Sequence, residues 1–143
     1  MKNKFLTILL IVLVTVTLVA VIVFALAWQM NKGDGDEKNE ATIDEIIEAS
    51  VEIPEITTNL AGRQFIRISL MIQTDSTAAA EELTKREFQV KNLVIQELSD
   101  ITQDELEGKA GKQAFESTIQ SLLNPLMQEG EVERVYIVSY IIP

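Results

Sequence analysis

The stretch RQFIRISLMIQT, Arg63 to Thr74, places Ile66, Ile68, Leu70 and Ile72 at every second position, with Gln64, Ser69 and Gln73 on the other face. A period of two puts one set of side chains on a single side of a strand. A strand that buries one side needs a neighbour, and the preceding residues supply it. Ile56, Thr58 and Leu60 alternate in the same way, and Ala61-Gly62-Arg63 supplies a turn, so residues 55–74 read as a hairpin. Val51 and Ile53 alternate upstream of it, and Pro54 interrupts.

Downstream the period changes from two to that of a helix. Ser76 or Thr77 caps a first helix, and Glu81 and Glu82 favour its positive end. Ala79, Leu83, Val90, Val94 and Leu98 fall near one stripe. A second helix is expected from about Lys112 to Gln128, with Phe115, Ile119, Leu122, Leu123 and Leu126 as its stripe. Pro125 kinks it or ends its regular part, and Gly130 stops it.

The chain closes on VERVYIVSYIIP, which is apolar on both sides. Read as one alternation, Val135, Ile137 and Ile141 point one way and Tyr136, Val138, Tyr140 and Ile142 the other. Such a strand is either central and covered twice, or meets another subunit with its second face. With only two helices for cover, the subunit contact through Tyr136, Val138, Tyr140 and Ile142 is favoured. Residues 51–143 thus read as a small α+β domain: a mainly antiparallel sheet of about three strands with two helices.

Upstream of this domain, TIDEIIEAS places Glu45 three residues after Thr42, a capping-box pattern, with Ile43, Ile46 and Ile47 at helical spacing. A short helix over 42–49 is expected within a linker of residues 29–50. Its greasy edge either packs on its own domain or binds a partner close to the membrane. Residues 31–41, polar and charged with two glycines, read as a flexible spacer. Asp34, Asp36 and Glu45 take positions one, three and twelve of a calcium loop. Lys38 and Asn39 then occupy positions five and six, so the loop fails at its centre.

From Phe5 to Trp28 the chain carries no charge. At about 1.5 Å per residue the run spans roughly 36 Å, enough to cross a hydrocarbon core. Ala25-Leu26-Ala27 is a triplet of the kind signal peptidase cuts, but a cleavable signal has only about 7–15 apolar residues. Residues 5–28 therefore read as a permanent transmembrane helix, with Phe5 and Trp28 at its ends. Lys and Arg are nearly balanced on its two sides, and the brevity of residues 1–4 tips the N-terminus to the cytoplasm. The rest of the chain then lies outside the cytoplasmic (inner) membrane. The span has no ionisable group for a proton or ion path and no small-xxx-small pair.

All 22 acidic residues and 10 of the 12 basic ones follow the span, which leaves residues 31–143 with a formal charge of −12. That surface repels nucleic acid. The sequence has no His and no Cys. Zinc sites of the usual kind, Ser-His and Cys-His nucleophiles and disulfides are excluded, and no glycine-rich phosphate loop occurs. No enzyme, cofactor, metal or small-molecule substrate is expected.

The order of pieces resembles the flagellar basal-body-associated FliL family. The similarity runs through EITTNLAGRQFIRISLMIQT, REFQVKNLVIQELSDITQDELEGKAGKQAF and LLNPLMQEGEVERVYIVSYIIP. Its most specific parts are Leu106, Gly108, Gly111 and Lys112, and the ending Asn124, Gly130, Val132, Val135 and Tyr136. The resemblance implies a stomatin-like external domain that assembles as a homo-oligomeric ring around the ion-driven stator units of the flagellar motor and supports motility. It also implies stator and basal-body proteins as partners, and the apolar edge of Ile43, Ile46 and Ile47 lies where a stator's external segment could reach it, so stator contact is expected there. The competing expectation is a membrane-anchored sensor or adaptor domain unrelated to flagella, although a four-residue cytoplasmic tail argues against direct inward signalling.

Overall fold

Residues 2–31 and 40–143 are described in the computed structural model. The spacer expected over 31–41, and Asp34, Asp36, Lys38 and Asn39 of the rejected calcium loop, fall wholly or mostly outside the described residues. The chain divides into two units, Met1–Glu40 and Ala41–Pro143.

Among its described residues the first unit holds one helix, α1, Lys2–Asn31. Its span Asn3–Trp28 has a mean hydropathy of 3.3 and is long and apolar enough to cross a membrane. Phe5 and Trp28 are exposed, as are the apolar side chains between them. A lipid bilayer removes such a surface from water. The hydroxyls of Thr7, Thr15 and Thr17 donate back to the carbonyls of Asn3, Val12 and Leu13 at 2.6, 2.9 and 3.0 Å. Each polar group therefore carries its own acceptor.

The second unit begins with a short helix, α2, Ile43–Glu48, followed by β1, Ser50–Asn59, and β2, Phe65–Thr74. Four helices and a strand follow: α3, Thr77–Lys85; α4, Glu87–Asp100; α5, Gln103–Leu106; α6, Gly108–Leu123; and β3, Val132–Ile141. The three strands form one antiparallel sheet in the order β1-β2-β3. The second unit is thus α+β, with α3, α4 and α6 packed on one face of the sheet.

The strongest sequence signal is also the centre of the core. On β2, Ile66, Ile68, Leu70 and Ile72 are buried, and Ile53 lies opposite Leu70. Val90, Val94 and Leu98 of α4 and Phe115, Ile119 and Leu123 of α6 cover them. Truncating any one of these fully buried aliphatic residues to alanine costs about 2–5 kcal/mol.

Three features differ from the sequence reading. Pro54 does not interrupt β1: it sits in a bulge between the pairs Ile53–Leu70 and Ile56–Ile68, where β1 carries one residue more than β2. Proline lacks an amide to donate, and a bulge at a sheet edge asks for none. The first expected helix is two, broken at Arg86, whose φ of −92° and ψ of 10° leave the helical range. The expected helix from 112 to 128 begins at Gly108 and stops at Leu123, and Asn124–Leu126 form a single 3-10 turn around Pro125. β3 lies at the edge of the sheet, so of the two readings that its apolar pattern left open the central one falls away.

β3 also carries two bulges. Ser69 pairs with Ser139 but Leu70 with Ile137, which leaves Val138 as an extra residue; Glu133 is a second extra residue. The Val138 bulge inverts the alternation. Tyr136 pairs with Met71 on the face away from the helices, whereas Tyr140 pairs with Ile68 on the helix face, and Ile142 packs against the core. Side chains of α6 and the turn after it fasten this strand. Asn124 Oδ1 accepts from the Val132 amide at 2.7 Å and its Nδ2 donates to the Val132 carbonyl at 3.1 Å. Gln120 donates to the carbonyls of Val132 and Glu133, and the Ile137 amide donates to Glu116 at 2.9 Å.

Candidate functional site

The sheet face opposite the helices is open except at one end, where α2 lies beside it. A six-residue helix does not persist alone in water. Here both of its ends are fixed. Thr42 and Glu45 form a reciprocal capping box: the Glu45 amide donates to Thr42 Oγ1 at 3.3 Å, and the Thr42 amide donates to Glu45 Oε2 at 2.7 Å. At the other end Ala49 is buried, and its carbonyl accepts from the Thr74 amide at 2.8 Å and the Thr74 hydroxyl at 2.7 Å. The Ser50 hydroxyl donates to the Ile46 carbonyl at 2.5 Å.

Held in this way, α2 presents an apolar edge without burying it. Ile46 is half-buried, while Ile43 and Ile47 remain 68% and 63% exposed. The three isoleucines, with Ser50, Glu52, Met71 and Tyr136, line a groove of about 420 Å³. Tyr136 is positioned by its hydroxyl, which donates to Gln73 Oε1 at 3.0 Å, and Gln73 Nε2 donates in turn to Glu133 at 2.9 Å. The Arg134 guanidinium lies 5.7 Å from the centre of the Tyr136 ring. An apolar lining with a polar rim suits a protein segment.

The structure brings some sequence-predicted residues together and separates others. Ile43, Ile46, Ile47 and Tyr136 share the groove. Val138 is exposed at its bulge, Tyr140 lies on the helix face with Lys112 Nζ 4.6 Å from its ring centre, and Ile142 is half-buried against the core. Tyr136, Val138, Tyr140 and Ile142 therefore do not share one face. Met71 and Glu52 went unnoticed as groove residues. Met71 was legible: it is the one apolar residue between Phe65 and Gln73 out of phase with the buried set, apart from Phe65 itself.

The segment around Leu106 builds the domain. Thr102 caps α5 with Glu105 in a second capping box, and the Thr102 amide and hydroxyl, donating to Glu105 Oε2, hold that carboxyl below its ordinary pKa. Leu106 is buried. Gly108 has a φ of 76°, a left-handed conformation that glycine adopts without penalty. Gly111 lets α6 approach α5 so closely that a Cβ there would stand 2.1 Å from the Glu105 carbonyl oxygen.

Two kinds of similarity fix the family. Residues 50–142 match the family model described as flagellar basal body-associated protein FliL. The chain is 46% identical over 110 residues to the flagellar protein FliL of Bacillus subtilis (strain 168), covering 76% of this chain and 79% of that one. It is 24% identical over 92 residues to the flagellar protein FliL of Aquifex aeolicus (strain VF5), covering 62% of this chain and 57% of that one. Together with α1, the family indicates a membrane-anchored accessory protein. The chain belongs to the FliL family of flagellar basal body-associated proteins.

Proposed function

We propose that this protein is a non-enzymatic support for the stator units of the flagellar motor, anchored by α1 in the cytoplasmic membrane with its N-terminus inside and residues 41–143 outside. It contacts a stator protein through Ile43, Ile46 and Ile47, and copies assemble into a ring around each stator. One observation carries the contact. Two isoleucines stand in water on a six-residue helix that is capped at its start and tied at its end to β2 through Ala49 and Thr74. Covering a large aliphatic side chain yields up to about 1.5–3 kcal/mol, so an edge of this kind gains from a partner.

The remaining features agree with support rather than transport. Between Phe5 and Trp28 there is no ionisable group to pass a proton or cation, so ion flow belongs to the partner. Val138 and Tyr140, both exposed near the end of β3, are the foremost candidates for contact between copies; Tyr136 belongs to the α2 groove and Ile142 to the margin of the core.

The test is a full-length variant with Ile43, Ile46 and Ile47 all changed to serine, in cells lacking the parent gene. Membrane-fraction level is measured alongside swimming speed as medium viscosity rises. The variant is expected at parental level in the membrane, with normal filament number and a speed that collapses under load. Parental speed at every viscosity refutes the assignment.

A further inference from the structure

Two exposed surfaces of the second unit carry no charge at their centre. On α4 the exposed residues from Phe88 to Ser99 are Phe88, Asn92, Ile95, Gln96 and Ser99. They lie away from the buried Val90, Val94 and Leu98, and Phe88 and Ile95, seven residues apart, share one side of the helix. Phe88 stands 71% exposed. Charge is confined to the margin: half-buried Glu97, half-buried Lys91 paired with Glu87 at 2.6 Å, Asp100 at the helix end, and Glu81 and Lys85 of α3 beside Phe88. The end of β3 is the other surface. From Val138 to Pro143 the chain reads VSYIIP and is exposed at every residue but Ile142. Its marginal charges are Lys112, over the Tyr140 ring, and Arg67, which pairs with Ile141 and lies 3.9 Å from Glu55.

Aromatic and aliphatic side chains at an uncharged centre, with charges at the rim, are the composition of an interface core. The fold holds the two surfaces apart: α4 packs on β1, and β3 is the opposite edge of the sheet. Different surfaces at opposite edges are what a head-to-tail contact requires. Resting on the reading that copies assemble into a ring, we propose that α4 of one copy receives the end of β3 of the next, with Phe88 and Ile95 against Val138, Tyr140 and Ile141. A second copy is the favoured occupant because residues 31–143 carry a formal charge of −12. Copies that met through the acidic remainder of the surface would repel one another, and these two surfaces avoid that. A symmetric pairing of α4 with α4, or of β3 with β3, would leave the other surface in water and stop at two copies.

The chain has no Cys, so an introduced cysteine is unique, and two of them join only where their Cα atoms come within about 7 Å. The full-length protein is oxidised in cell membranes with Asn92→Cys, Gln96→Cys or Ser99→Cys on α4, with Ser139→Cys on β3, or with one of each in the same chain; all four positions are exposed. The chain with one of each is expected to give a ladder of dimer, trimer and longer species for at least one α4 position. Two single-cysteine chains produced together, one of each kind, should stop at the dimer, and each single-cysteine chain alone should remain a monomer. Adding F88S and I95S to the double-cysteine chain should remove the ladder while the protein stays in the membrane fraction at parental level, because both side chains are exposed.

No ladder from any pairing of an α4 cysteine with Ser139→Cys overturns the proposal. So does a dimer from one single-cysteine chain alone, which marks a symmetric contact, and so does a ladder that survives F88S with I95S. A ladder as expected, together with normal swimming of the triple serine variant, supports this contact and removes the stator as what the copies surround. Loss of speed under load in that variant, without a ladder, overturns the contact and leaves the stator reading standing.

Discussion

Changing Gly111 to alanine sets two effects of opposite sign against each other. Gly111 lies inside α6, where alanine is favoured over glycine by about 1 kcal/mol. On propensity alone G111A stabilises the protein. The packing says otherwise. The new Cβ would stand 2.1 Å from the Glu105 carbonyl oxygen, 2.9 Å from the Leu106 carbonyl carbon and 3.1 Å from that of Glu105, whereas ordinary contact begins near 3.4 Å. All three neighbours are backbone atoms and none swings aside. α5 is tied to its capping box and to buried Leu106, so relief requires α6 to retreat by more than about 1 Å from a packed core. Overpacking of this kind costs about 3 kcal/mol. The net loss is then about 2 kcal/mol, which in a domain of roughly 100 residues lowers Tm by about 8–16 °C. Tyrosine near-UV circular dichroism reads it selectively, because Tyr136 and Tyr140 both lie in the second unit. A Tm equal to or above that of the parent refutes the close-packing argument for Gly111.

Three further outcomes follow from the fastening of β2, β3 and the loop before β3. N124A leaves the buried Val132 amide without an acceptor and is expected to cost about 1–3 kcal/mol; Asn124→Asp, which keeps the acceptor, loses less of the amide contact by thermal denaturation. T74V removes a buried hydroxyl placed 2.7 Å from the Ala49 carbonyl and 2.8 Å from that of Ser76, while the Thr74 amide keeps its bond to Ala49. It should cost about 1 kcal/mol and speed hydrogen exchange in α2. Glu82 accepts from the amides of Gln128 and Glu129 and from Arg86. The Gln128 amide first, then that of Glu129 and the Arg86 side chain, hold its carboxyl below the ordinary 4.5, against the opposing effect of burial. A depressed folded-state pKa adds stability above the unfolded value that is lost as pH falls through the folded one. E82Q should therefore be less stable than the parent at pH 7, with the gap closing below about pH 4; a gap that stays constant down to pH 2 refutes the assignment.

The parts of this protein that sequence made legible are those where one physical rule acts alone. Alternation along Arg63–Thr74 had no competitor, and Ile66 to Ile72 form the core as expected. The stripe of Ala79, Leu83, Val90, Val94 and Leu98 likewise turns inward. What periodicity could not convey is the break at Arg86, because the chain resumes helix at once and a stripe survives one non-helical residue. β3 was misread for a related reason. A bulge adds one residue, and past Val138 every side chain changes face, so Tyr140 and Ile142 leave the side that Tyr136 occupies. The spacing from Ile53 to Ile56 carried the same kind of signal in β1, where a step of three between core residues marks the bulge. The groove was half legible: the isoleucines of α2 were visible as an edge, but their meeting with Met71 and Tyr136 depends on long-range pairing.

The margins of the sheet bear on whether another strand can add to it. A strand with a free outer side is a template for another strand, and chains that add there extend a sheet without limit. Neither side of this sheet offers one. β1 is broken in step by Pro54, which has no amide to give, and β3 is displaced at Glu133 and Val138, with Glu116, Gln120 and Asn124 already occupying outward-facing amides and carbonyls. These interruptions work against a continuous cross-chain sheet. A neighbour that docks on this domain is then offered side-chain surfaces rather than a long run of free amides and carbonyls.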